Sequence, residues 1–158
     1  MPRITPNLWF DKEGKDAAEF YCSVFPNSKI TAVTHYNEAG PRKAGEVLTV
    51  DFVLDGTPFT AINGGPEFTF DEAVSFLIEC KDQEEVDYYW DKLIEGGGEE
   101  SQCGWLKDKF GLSWQVVPAG MDATLNDPDP ERAVRAMRAM LGMKKIDVAA
   151  LKAAADGK

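Results

Sequence analysis

Histidine is nearly absent, cysteine is scarce, and no apolar run is long enough to cross a bilayer. His35 is the sole histidine among 158 residues, so one chain cannot assemble a cluster of imidazoles around a metal ion. Cys22, Cys80 and Cys103 lie in distant segments and form no CxxC pair. An odd number of scattered cysteines suits a reducing compartment better than a disulfide framework, so all three are read as thiols and the protein as cytoplasmic. No stretch approaches the ~20 apolar residues of a membrane span, and the segment after Met1-Pro2-Arg3-Ile4 is too short for a signal-peptide core. Positive charge is also short, with 17 Lys and Arg against 27 Asp and Glu and a formal charge of −10. Such a chain repels phosphate backbones and anionic lipid, so neither nucleic acid nor a membrane surface is an expected partner.

What is present points to a globular protein. The chain is of single-domain length, and a domain of this size buries roughly 70% of the surface its unfolded chain exposes. Ile4 to Phe10 reads as a buried strand, and Ala17, Phe20, Tyr21, Val24 and Phe25 then recur at the intervals of three and four that mark one helix face. Pro26-Asn27 ends that helix. Ile30 to Tyr36 reads as a strand, Val47 to Leu54 as a second, and Asp55-Gly56 as a tight hairpin turn into a third, Thr57 to Ile62.

The pattern then restarts. Ala73 to Cys80 is strand-like, Asp82 with Glu85 resembles a capping box, and the next helix carries Val86, Tyr89, Trp90, Leu93 and Ile94. Each of these five lies 69 positions after its counterpart in the first helix (86 − 17 = 69). Gly96-Gly97-Gly98 closes the helix, Glu99 to Trp105 and Leu106 to Phe110 offer short strands, and Leu112 to Val117 is a last strand. A repeat of this kind predicts an α+β fold of two similar half-sheet modules, about 1–66 and 67–118, in one domain. The tail, 119–158, lies outside the repeat. Asp127-Pro128-Asp129-Pro130 starts a helix through Ala133, Met137, Met140 and Leu141, and Ile146 to Ala155 forms another. Two roles fit it, a packing or dimer-bracing arm and a lid over a cleft.

The opening Ile4-Thr5-Pro6-Asn7-Leu8-Trp9-Phe10, the later Asn63-Gly64-Gly65-Pro66, the long run from Cys103 to Gln115 and the tail Met140 to Asp147 resemble the PhnB-like branch of the vicinal-oxygen-chelate superfamily, which includes glyoxalases and bleomycin-resistance proteins. The resemblance implies two βαβββ modules forming curved mixed sheets, usually completed as a homodimer with a cleft under each sheet. Members often carry the label 3-demethylubiquinone-9 3-methyltransferase. A methyltransferase of the usual kind shows a strand, a Gly-rich turn and a helix, and this sequence has no such unit. Metal-using relatives place His, Gln or Glu at positions that correspond here to Thr5, Thr60, Ser75 (or Val74) and Gln115. Only Gln115 is a plausible donor, and one neutral amide does not replace two carboxylates and two imidazoles, so no metal and no cofactor are expected.

Among single residues, His35 reads as a surface or hairpin residue. Asp51 reads either as a solvent-facing strand residue or as a desolvated acid or base. Cys103 reads as a buried thiol or as one activated by Lys107. Thr60 and Gln115 facing a cleft would turn their neighbours Phe59 and Trp114 toward the helices. Asn7, Trp9, Asp51, Thr60, Asn63, Ser75, Cys103, Trp105 and Gln115 are therefore the candidate ligand-binding residues. The expected partner is a small organic molecule held without a metal, and an enzyme of the superfamily is the alternative.

Overall fold

The computed structural model describes residues 2–158, and its contacts divide the chain into two units, 1–70 and 71–158. In the first, β1 (Asn7–Phe10), α1 (Gly14–Val24), β2 (Lys29–His35), β3 (Val47–Leu54) and β4 (Thr57–Asn63) follow one another. The strands lie in the order β1-β4-β3-β2, with β1 parallel to β4 and the other neighbours antiparallel. Alternation sorts the side chains. Leu8 and Phe10, Val50, Phe52 and Leu54, and Phe59 and Ala61 are buried on one face with Ala17, Ala18, Tyr21 and Val24 of α1. Tyr21 stacks on Phe52 at 6.2 Å and Phe52 on Phe59 at 5.5 Å. The β3–β4 hairpin turns on Asp55 and Gly56, both at positive φ (44° and 87°), the pairing a two-residue turn of the favoured twist requires.

The second unit repeats this plan with β5 (Ser75–Cys80), α2 (Gln83–Ile94), β6 (Glu99–Glu100), β7 (Trp105–Lys107) and β8 (Ser113–Pro118), in the order β5-β8-β7-β6. The Asp82 carboxylate caps α2 by accepting from the Glu85 amide at 2.9 Å. Glu85 returns a bond to the Lys81 amide at 3.4 Å rather than to Asp82's own, so the box is skewed by one residue. Val86, Trp90 and Leu93 of α2 are buried, as are Leu106, Trp114 and Val116 of the sheet. The two βαβββ modules form the α+β architecture expected of the glyoxalase and bleomycin-resistance fold.

The differences from expectation are local. β1 begins at Asn7 rather than Ile4, and Phe25 caps α1 instead of lying within it. Glu99 to Trp105 is not one strand: Cys103 and Gly104 turn the chain at φ 59° and 85°, leaving two residues in β6. Leu106 to Phe110 is cut short because Asp108 gathers the next turn around its carboxylate.

The tail forms α3 (Met121–Leu125), α4 (Pro130–Leu141) and α5 (Val148–Ala155), the first of which the sequence pattern did not predict. Met121, Ala136, Ile146, Leu151 and Ala155 share a small core with Val117 of β8. Gln83 of α2 clamps this tail, donating to the Ile146 carbonyl at 3.0 Å and accepting from the Val148 amide at 2.7 Å. Lys145 adds an ion pair with Asp87 at 2.9 Å. These contacts support the packing-arm role. Replacing Gln83 by Ala strands a carbonyl and an amide at once, which is expected to cost about 2 kcal/mol and to expose α5 to protease before the sheets unfold, as limited proteolysis would record.

Candidate functional site

On the helix-free face of the first sheet, register places Asn7, Thr60 and Asp51 side by side across β1, β4 and β3. The Thr60 hydroxyl donates to the Asp51 carboxylate at 2.7 Å, so this acid is bonded to a neighbour on its own face. Trp9 lies on the same face. Its indole N–H donates to the Gly65 carbonyl at 2.9 Å, and its ring meets Phe68 edge to face at 4.9 Å. The chain after β4 passes so close that a Cβ on Gly64 would fall 2.3 Å from the indole. The Gly64-Gly65 pair thus fits the backbone against Trp9. Thr5 precedes the strand, half-buried, and its carbonyl accepts from the Asn7 side-chain Nδ2 at 2.9 Å.

Asn63 lies on the opposite face, two residues after Ala61, and is buried at 4% exposure. Its Oδ1 accepts from the Gly14 amide at 2.7 Å and its Nδ2 donates to the Val47 carbonyl at 3.2 Å. His35 ends β2, exposed.

In the second unit, Ser75, Ser113 and Lys107 form one cross-strand row, and Leu77, Gln115 and Trp105 the next. Gln115 donates to the Ser75 hydroxyl at 2.9 Å. Phe59 and Trp114 are buried on the helix sides, as alternation required. Val74 is exposed just before β5. Lys107 pairs with Glu72, whose carboxyl it holds below the usual range, rather than with Cys103. Cys103 sits on the turn before β7, its amide donating to the Met143 carbonyl at 2.8 Å.

Neither face offers a metal cage. Among the described residues no three His, Cys, Asp or Glu side chains converge as they would around an ion. Thr60, Ser75 and Gln115 supply two hydroxyls and an amide, donors too few and too weak for a divalent cation. Of the thiols, burial with the nearby carboxylates of Glu85 and Asp82 pushes Cys80 up to about 12, and burial also raises Cys22. Iodoacetamide at neutral pH is therefore expected to leave Cys80 unlabelled until the protein unfolds, as peptide mass spectrometry would show. Because the folded form holds this proton more tightly, the contribution is fully present below the ordinary value of 9.0 and is lost as pH rises through about 12. Sequence reasoning missed Glu72 and Ser113, which no local pattern marks.

The strand-to-helix turns of the two modules, Asp11–Glu13 and Lys81–Asp82, hold no glycine, and the turn from β8 into α3 holds one, Gly120. Among the described residues no helix is long and apolar enough to cross a membrane. No curated protein matches the chain. A putative 3-demethylubiquinone-9 3-methyltransferase, PhnB protein, from Bacillus cereus is similar at 35% identity, covering 75% of this chain and 100% of that one with a TM-score of 0.67. Protein PA1353 from Pseudomonas aeruginosa shares the fold at 18% identity, 75% and 98% coverage and a TM-score of 0.61. So does the fosfomycin resistance protein FosX from Listeria monocytogenes, solved with manganese(II) and sulfate, at 13% identity, 79% and 95% coverage and a TM-score of 0.55. The family model described as 3-demethylubiquinone-9 3-methyltransferase matches residues 2–117, stopping where the internal repeat stops. The chain therefore belongs to that family, the PhnB-like branch of the vicinal-oxygen-chelate superfamily, and carries a helical tail beyond the part the family model matches.

Proposed function

We propose that this protein binds a small, partly aromatic organic molecule on the helix-free faces of its sheets, without a metal. The observation that carries the reading is the surroundings of Trp9. A half-buried indole is fixed by its own N–H and by Phe68 beside one amide, Asn7, and one hydroxyl–carboxylate pair, Thr60 with Asp51. An apolar wall with a few placed polar groups is the usual make-up of a small-molecule site. Ser75, Trp105 and Gln115 give the second sheet a similar composition.

The test is a panel of phenols and aromatic alcohols, read by thermal shift and tryptophan fluorescence on chelator-treated protein. Binding that survives the chelator and falls in Trp9→Ala supports the reading. A tightly held divalent ion in the purified protein, or binding that needs an added metal, would refute it.

Asp51 favours a second reading, an enzyme using this carboxylate as acid or base with Thr60 as its positioning partner. Asp51→Asn would then abolish turnover while leaving binding intact. Methyl transfer, the chemistry in the family's name, has poor support, because no strand-to-helix turn has the run of glycines that cradles a nucleotide-like cofactor: two hold none and the third holds only Gly120.

Homodimerisation belongs to the same proposal. Phe68 at 64% exposure, Val74 at 63% and Leu77 at 56% are large apolar groups left to solvent in one chain, and a partner copy would cover such surface. Light scattering would give the mass. Three free thiols support a cytoplasmic setting. A single cooperative unfolding transition would support folding as one domain.

A further inference from the structure

A small pocket over β6, β7 and β8 of the second unit has a chemistry of its own. It encloses about 130 Å³, room for about four waters. Glu72, Glu99, Glu100, Trp105, Lys107 and Ser113 contribute to its wall. Ser113 is 1% exposed, and its hydroxyl has no hydrogen-bond partner among the described residues. Native proteins seldom leave a buried hydroxyl unpaired, so the pocket beside it is where a partner would come from.

The charges narrow the class of that partner. Glu100 already accepts from the Trp90 indole at 2.9 Å, which leaves two carboxylates, Glu72 and Glu99, against one ammonium, Lys107, itself paired with Glu72. An anionic ligand would meet excess negative charge. A divalent metal ion would find no convergent set of three donors. An organic ammonium group is attracted by Glu72 and Glu99, and it can lie against the indole of Trp105.

We propose that this pocket binds a small primary ammonium compound carrying a hydroxyl, its ammonium toward Glu72 and Glu99 and its hydroxyl on Ser113 Oγ. The site needs only the second unit; it shares Trp105 with the second-sheet face named above and no residue with the surroundings of Trp9.

Ethanolamine is the probe, titrated by calorimetry at low salt into the full chain, with ethylene glycol and glycolate as the neutral and anionic controls. Saturable binding of ethanolamine alone is expected. Ser113→Ala should weaken it about tenfold, the worth of one hydrogen bond to the ligand, and Glu99→Gln should weaken it as well. Ser113→Ala deletes a group with no partner, so its unfolding temperature is expected to hold or rise, which separates lost binding from lost folding. The proposal is overturned if ethanolamine does not saturate, if ethylene glycol or glycolate binds as well, if Ser113→Ala binds unchanged, or if a soaked crystal shows only water on Ser113. None of these outcomes bears on the aromatic probes at Trp9.

Discussion

Asp108→Ala is expected to lower the unfolding free energy by about 4 kcal/mol, a large share of what holds an ordinary domain together. The carboxylate is 2% exposed and is the hub of the turn between β7 and β8. Its Oδ1 accepts from the amides of Phe110 at 2.9 Å and Leu112 at 3.1 Å, and its Oδ2 accepts from the Trp114 indole at 2.8 Å. Alanine would leave three donors without this acceptor. Asp108→Asn separates geometry from charge. With its carbonyl kept on the two amides, the side-chain NH₂ faces the Trp114 N–H, donor against donor, so this variant should recover only part of the loss. Adding Trp114→Phe removes that opposed donor, and the double variant should cost less than the two single losses added together. Urea unfolding of the four proteins measures this. Additive losses would mean that the indole bond is not what the asparagine disturbs.

The helices and the longer strands were legible because burial repeats at a fixed spacing. Ala17, Tyr21 and Val24 recur as Val86, Trp90 and Leu93 with equal separations, and all six are buried. β3 matches its expected bounds, Val47–Leu54, because eight residues between turn signals leave little freedom. The short strands were not legible. A strand of two or three residues has no period to detect, and the break between β6 and β7 falls on Cys103 and Gly104, both at positive φ, of which only the glycine is a turn signal. α3 is similarly short.

For the candidate residues, alternation sufficed to assign faces but not partners. Thr60 and Gln115 were placed opposite Phe59 and Trp114 by parity alone. That Thr60 bonds Asp51 and Gln115 bonds Ser75 depends on strand register, which periodicity does not reveal. Glu72 and Ser113 were invisible for the same reason. One lies in the segment before β5 and the other at the start of β8, and only folding brings them to one pocket. The resemblance carried information of another kind: it implied the βαβββ order of both modules, whereas the residues alone predicted a repeat without a strand order.

Asn63 has a structural task that residue type alone does not reveal, because its contact is distant in sequence. A candidate ligand-binding residue by its sequence, it is the strut that starts α1. That helix has no local cap: Glu13 at the N-cap makes no side-chain hydrogen bond to it. The first amides of a helix lack intrahelical partners, and Asn63 reaches across from β4 to take Gly14's. The Asn63 Nδ2 holds the start of β3 by donating to the Val47 carbonyl, and the Asn63 main-chain carbonyl accepts from the Tyr36 hydroxyl at 2.5 Å. Asn63→Ala should therefore cost about 3 kcal/mol through one stranded amide, one stranded carbonyl and a small cavity. Gly14 is fitted to this contact, since a Cβ there would stand 2.6 Å from Asn63 Oδ1. Gly14→Ala alone should destabilise by about 2 kcal/mol, because the strut must move. With Asn63 already cut to Ala the 2.6 Å clash is gone and only a close approach of 3.3 Å to the Ala61 Cβ is left, so alanine at this early helical position should cost far less than it does beside Asn63. Thermal or urea unfolding of the two single variants and the double should thus show a double loss well below the sum. A sum that is simply additive would mean that the two residues do not meet as described, and that α1 takes its start from some other contact.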